Sequence, residues 1–428
     1  MKKESNWQKA IDEGAGIVGN YPIVLSSIRQ EDIWGKKNSV IYIHIPFCKK
    51  VCSFCCYNLT KNIFNLEIEE RYVNALIKEI SASSSDNENI VSIYMGGGTP
   101  TILTEKSLYN IFNEVFKKNK FNNIKQITVE TNPIVSTVNK LSALREIGVN
   151  RLSFGLQSDN DNMLKMLNCP HNYNDFIKAY NTARQLGFDS INVDLLYRLP
   201  GQSLSDWINT VKNIIELKPE HISIYSLGIV KSTKLYSDLI NVSVPDVPDL
   251  FTELEMRKAV KLLLQEHGYK INTMDEFSKN GHENLYSQVS RLGNTFAYGA
   301  GARGVYNSYI YNNAEDIDDY INKLKIYNNS INYGMKMSGE EKRARYMSLM
   351  PYYLGFSKNE YFNIFGMKVE LLYKDILNEL IKQDLLTETP NCYKLTDKGE
   401  VYSIKVSKLF YSEQQMRIEK IIRSYQDL

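Results

Sequence analysis

The chain has 428 residues, 43% hydrophobic and 23% charged, and its 51 basic side chains nearly cancel 49 acidic ones to leave a net charge of +2. Those figures exclude a single small domain, a disordered chain and a general nucleic-acid or membrane-surface binder. No apolar run reaches the roughly 18–20 residues of a membrane span, and the opening residues lead into no signal-like apolar core, so a cytoplasmic protein is expected.

Residues 1–38 are polar and read as a leader, with Gly14, Gly16 and Gly19. Hydrophobic periodicity then predicts strands at Ser39–Ile45, Ile90–Met95, Gln126–Thr131, Arg151–Leu156, Ser190–Leu196 and His221–Leu227. Between them it predicts helices at Leu66–Ser81, Lys106–Lys118, Val138–Gly148, Tyr173–Leu186 and Leu204–Leu217. Six strands alternating with helices make an α/β unit with a parallel sheet and right-handed crossovers. Its polar candidates follow the strands, where α/β barrels place their sites. A further helix is expected within 245–268, and 270–335 reads as irregular with a glycine-rich centre. From about 338 the pattern becomes three helices and then the strand Cys392–Leu395, a small winged-helix-like α+β domain. Its mixed charges suit a lid better than a nucleic-acid reader.

Four of the six cysteines, Cys48, Cys52, Cys55 and Cys56, lie within nine residues, while Cys169 and Cys392 stand apart. Such a cluster is not a disulfide framework; it points to metal or redox chemistry. Three thiolates at CxxxCxxC spacing on one loop suit three irons of a [4Fe–4S] cluster. Zinc, which prefers four ligands, and unliganded thiols stay open on spacing alone.

Tyr42-Ile43-His44-Ile45-Pro46-Phe47-Cys48 with its CxxxCxxC loop resembles the opening of radical S-adenosylmethionine (SAM) enzymes. More narrowly, it resembles the oxygen-independent coproporphyrinogen III oxidase (HemN)-like family. The likeness continues through Tyr94–Thr101, Glu130–Pro133, Arg151–Ser158 and Asp194–Gln202. It implies a partial (β/α)6 barrel over 39–235, a barrel extension and accessory region over 236–335, and the winged-helix-like domain over 336–428. It also implies a [4Fe–4S] cluster on Cys48, Cys52 and Cys55, and one or two molecules of SAM beside it. Tyr42, Gly97, Gly98, Thr99, Glu130, Gln157 and Asp194 become the SAM-binding candidates, and a flavodoxin or ferredoxin the electron donor.

Several positions depart from the family pattern. The oxidases' further cysteine is replaced by Tyr57, the extra thiol being the adjacent Cys56. Cys169 stands where many members carry an arginine that pairs with the SAM carboxylate, and a thiol cannot make that bidentate clamp. Arg198, in place of a usual glycine, is a candidate substitute. His282 and Tyr286 keep part of the HNxxYW signature of the family's haem chaperones, Asn at its second place and Trp at its last being lost, and are candidate substrate contacts. These features lead to an expected enzyme acting on a tetrapyrrole, by radical methyl or methylene transfer with ring opening. A class C radical methylase or cyclopropanase acting on another metabolite, and a non-catalytic haem chaperone, are the alternatives.

Overall fold

The computed structural model describes residues 38–56, 64–83, 89–118 and 124–417. Residues 1–37 of the expected leader, and Tyr57, lie outside them. Six strands follow one another in space as in sequence: β1 (Asn38–Ile45), β2 (Asn89–Gly97), β3 (Gln126–Thr131), β4 (Arg151–Gln157), β5 (Ser190–Tyr197) and β6 (His221–Ser226). Each pairs in parallel with the next. Helices Leu66–Ala82, Glu105–Lys118, Val138–Ile147, Tyr173–Gln185 and Leu204–Glu216 make the crossovers. The sequence starts and stops them clearly. Asn172 and Ser203 form reciprocal capping boxes with Asp175 and Asp206. Gly148 ends the third helix at φ 103°, a conformation that a Cβ disfavours. With helices outside, the strands are largely buried on both faces; β2 is mostly apolar, while β4, β5 and β6 alternate apolar residues toward the helices with polar ones inside the barrel.

The stretch 270–335 is not irregular. β7 (Lys270–Ile271) and β8 (Glu276–Ser278) pair antiparallel, and β8 extends the barrel beyond β6. On the other side, β9 (Asn294–Tyr298) lies parallel to β1. β10 (Arg303–Tyr306), β11 (Tyr309–Asn313) and β12 (Ile331–Lys336) continue antiparallel and complete a twelve-stranded sheet. These strands have two to six residues, too short to display a period against their glycines. The β10–β11 hairpin turns on Asn307 and Ser308, both at positive φ, as a two-residue hairpin needs. Buried Glu79 fastens this extension to the barrel. It accepts hydrogen bonds from the Gly299 amide at 2.8 Å, Asn313 at 2.8 Å, Tyr320 at 2.5 Å, and Ser330.

The C-terminal residues pack on a core of their own that includes Met347, Phe356, Tyr361, Leu377, Tyr393 and Phe410. Helix Gly339–Leu349 leads to β13 (Gly355–Ser357), helices Lys358–Phe365 and Glu370–Lys382, and the hairpin β14 (Leu386–Glu388) and β15 (Cys392–Leu395). The order β13–β15–β14, antiparallel throughout, is a winged-helix arrangement. The sequence reading missed β13 and β14, each three residues long and set beside helices. Among the described residues no helix is long and apolar enough to cross a membrane.

Candidate functional site

At the C-terminal ends of the barrel strands lies a cavity of about 690 Å³, within the range of about 300–1,000 Å³ typical of ligand and cofactor pockets. Cys48, Cys52, Cys55 and Cys56, on the loop after β1, open onto it, and none of them is in a disulfide. Burial pushes the Cys48 and Cys56 thiols above their ordinary range. The Cys48 sulfur lies 3.4 Å from the Thr99 hydroxyl. The loop is fixed from below, because the Gly98 amide donates to Ile45 O at 2.8 Å and the Thr99 amide to Phe47 O at 2.7 Å.

The glycines of this turn are required by crowding. A Cβ on Gly97, whose φ is 118°, would stand 2.6 Å from the His44 ring, and one on Gly98 would stand 2.5 Å from Phe47 O. The Gly97 amide donates to Glu130 Oε2 at 3.0 Å, and the Tyr94 hydroxyl donates to Glu130 Oε1 at 2.7 Å. Burial outweighs these bonds and lifts the Glu130 carboxyl to about 7. Asp194, also raised by burial, accepts from Ser153 at 3.1 Å and from Asn192 at 2.8 Å. Asn192 in turn accepts from Ser223 and receives the Nδ1 proton of His221.

Tyr42, Gly97, Gly98, Thr99, Glu130, Gln157 and Asp194 all line this cavity with the cysteines. Gln157 sits at a register shift of β4 at φ 75°. Arg198 lines it too, but its guanidinium is engaged: Nε donates to Pro248 O at 3.1 Å, and a terminal nitrogen lies 3.2 Å from Glu253. His282 and Tyr286 are not among the lining residues. Gln126, the first residue of β3, bonds Glu283 O and the Leu285 amide, so this segment closes the opposite end of the strands. The Tyr286 ring packs at a tilt against Tyr42 and Tyr94, at centroid distances of 5.9 and 5.0 Å. Asn284 and Ser287 bind buried Glu276.

The sequence reading missed the inner layer of Arg151, Ser153, Asn192, His221 and Ser223. Polar residues at every second position of β4, β5 and β6 were the available signal. It also missed the far wall, where Met274, Asp275, Tyr352 and residues 400–405 face the same cavity. There Arg257 donates to Glu400 at 2.6 Å and to Met274 O at 2.7 Å. Burial lifts Asp275 to about 7.

A radical SAM superfamily model matches residues 42–214. Heme chaperone HemW of Bacillus subtilis is 29% identical over 379 residues, 87% of this chain and 99% of that protein. Heme chaperone HemW of Haemophilus influenzae is 26% identical, over 87% of this chain and 98% of its own. The structure of coproporphyrinogen III oxidase (HemN) from Escherichia coli superposes with a TM-score of 0.79 at 20% identity, covering 95% of this chain and 99% of that one, and is similar in fold. The expectation of radical methyl or methylene transfer with ring opening is corrected by these matches. The relatives whose sequences align nearly end to end at 26–29% identity are named as haem chaperones, whereas the likeness to the oxidase, at 20% identity, is one of fold. The motifs quoted for the family cover a scaffold on which both activities are built, so they could not separate the two.

Proposed function

We propose that this chain, whose residues 42–214 match a radical SAM superfamily model and whose fold is that of coproporphyrinogen III oxidase (HemN), is a haem chaperone of the HemW type. It takes up haem, holds it chemically unchanged and releases it to an acceptor. The observation that carries this reading is the near end-to-end alignment with chaperones of that name, spanning 99% of the Bacillus subtilis protein. Two local features support it. Cys169 cannot clamp a SAM carboxylate as arginine does, and Arg198 is already held by Pro248 and Glu253.

On this reading Cys48, Cys52 and Cys55, which open on one cavity outside any disulfide, hold a [4Fe–4S] cluster, although among the described residues no three metal-ligating side chains are already drawn together as for a single ion. When bound, the cluster supplies a one-electron centre with one iron open to the amino and carboxylate groups of SAM. Glu130 offers its carboxylate to the SAM ammonium, with Tyr94 and the Gly97 amide fixing its orientation. Asp194, Gln157 and Tyr42 line the same cavity. A flavodoxin or ferredoxin supplies the electron. Haem occupies the cavity; His282, at the far end of the strands, does not ligate it.

The test is an anaerobic titration of the reconstituted protein with haem, followed by transfer to an apo-globin and mass spectrometry of haem and SAM products. Stoichiometric uptake, transfer and an unchanged haem mass are expected. Failure to bind haem, or a haem-dependent rise in S-adenosylhomocysteine with a new tetrapyrrole mass, would sink the reading.

A further inference from the structure

We propose that Cys169 is a positioning residue for the cluster: its thiol donates an S–H···S hydrogen bond to the sulfur of Cys52 and so sets the cluster's reduction potential. The inference rests on the reading that Cys48, Cys52 and Cys55 hold a [4Fe–4S] cluster.

The two sulfurs lie 3.9 Å apart although their residues are 117 positions apart in sequence. The contact is built from both sides of Cys52. Asn168 donates to Val51 O at 2.8 Å, and the Ser53 amide donates to Leu167 O at 2.8 Å. The chain around Cys169 is itself fixed, with Asn168 at φ 57° and the Cys169 amide bonded to Leu164 O at 2.9 Å. Ser53 O accepts from the Leu235 amide at 2.7 Å, which closes the clamp from a third direction. The segment 167–169 is therefore a template against which residues 51–53 are laid.

Cys169 is buried among Leu164, Leu167, Leu196 and Leu199. Little water competes there for a weak S–H donor, and low local polarity strengthens the bond it makes. The Cys52 thiol, while it keeps its proton, donates to the Cys169 sulfur. Once iron displaces the proton of Cys52, that sulfur can only accept, and the shared hydrogen has to come from Cys169. The spacing is nearly twice the roughly 2.05 Å of a disulfide. It is also closer than two negative thiolates on separate irons would stand, so the contact suits a hydrogen bond, not a fourth ligand. Hydrogen bonds to cluster sulfurs stabilise the more negatively charged reduced form and raise its potential. Where family members place a cation aimed at SAM, this chain has a donor aimed at the cluster's own ligand.

The test is an anaerobic, EPR-monitored redox titration of wild type, C169S, C169A and C169V, with iron and sulfide counted for each. Full loading of the wild type tests the cluster assignment; the differences in potential test the role of Cys169. Serine keeps a donor, while valine keeps the bulk without one. C169S should remain near the wild-type potential, and C169A and C169V should both be more negative at equal iron content. Equal potentials in all four proteins, or an equal shift in all three variants, would overturn the hydrogen bond. Loss of the cluster in every variant would overturn it too, because Cys169 would then be a ligand.

Discussion

Glu130 has an environment at odds with its charge. Burial favours its neutral form, while the Tyr94 hydroxyl and the Gly97 amide favour the carboxylate, and burial dominates to leave it near 7. If the carboxylate receives the SAM ammonium, SAM affinity rises as pH rises through about 7. Y94F, which removes one donor to the charged form, shifts that midpoint upward by isothermal titration across pH 6–8.5. The linkage to stability has the opposite sense. Between the ordinary carboxylate range and about 7, the folded state binds more protons than the unfolded state, so Glu130 makes stability fall as pH rises. The melting temperature of wild type relative to E130Q should therefore decline across that window, and a flat difference would refute the burial argument. Arg198 presents a second conflict, since at φ 63° a side chain costs about 1–2 kcal/mol that glycine avoids. R198G relieves that strain but leaves Glu253 buried without its cation, and breaking a buried pair costs about 3–5 kcal/mol. The expected net loss in urea denaturation is about 1–4 kcal/mol. The identity of these residues was legible in the sequence because motifs fixed them. Their partners were not, because Glu253 and Pro248 lie some fifty residues beyond Arg198.

Strands and turns divide sharply by how far their signals reach. The six parallel strands were legible because each is an apolar or alternating run set beside a well-delimited helix, so period and punctuation agreed. β7 to β12 were not, because such short strands depend on pairing partners brought from elsewhere. The turn after β2 entered the sequence reading as a SAM-binding candidate at Gly97, Gly98 and Thr99, whereas the structure adds a packing demand, since a Cβ on Gly97 or Gly98 would meet His44 or Phe47. That distinction is testable. G98A drives a Cβ into the Phe47 carbonyl, one residue before Cys48, where neither backbone can yield. Overpacking of this kind costs about 1–3 kcal/mol, and the displaced loop should hold less than half the wild-type iron after reconstitution. G148A is the matched control: its added Cβ meets nothing within 4 Å, so it carries only the left-handed strain, about 1–2 kcal/mol. It should lower the melting temperature while leaving iron content unchanged. Equal iron content in the two variants would mean that the turn does not hold the cysteine loop.

The cavity is a property of the whole chain, since its near wall is the cysteine loop and its far wall residues 400–405. Buried Arg257 and Glu400, 2.6 Å apart, span the boundary, and Lys261 adds contacts of 2.9 Å to Asp397 and 2.7 Å to Glu400. Nothing in the sequence joined positions 257 and 400, which are 143 residues apart. Two opposite charges this deeply buried are stabilising only together, because each pays a desolvation cost that its partner offsets. E400A leaves Arg257 buried with Met274 O, the Tyr197 hydroxyl and neighbouring Asp275 as partners and should lower stability by up to about 3–5 kcal/mol. The loss should concentrate at the boundary, because the C-terminal unit has its own core of Met347, Phe356 and Tyr361. Hydrogen exchange should then accelerate at residues 397–408 and in helix Leu250–Glu266 while the protection of β1 to β5 is kept. Haem should also leave E400A faster than wild type, since the far wall is no longer held closed. The double variant R257M/E400L separates docking from charge: an apolar pair of similar bulk should recover most of the stability and the slow haem release. If it recovers stability but haem still leaves quickly, the charges act on the ligand, and the C-terminal unit is not the lid inferred from its position.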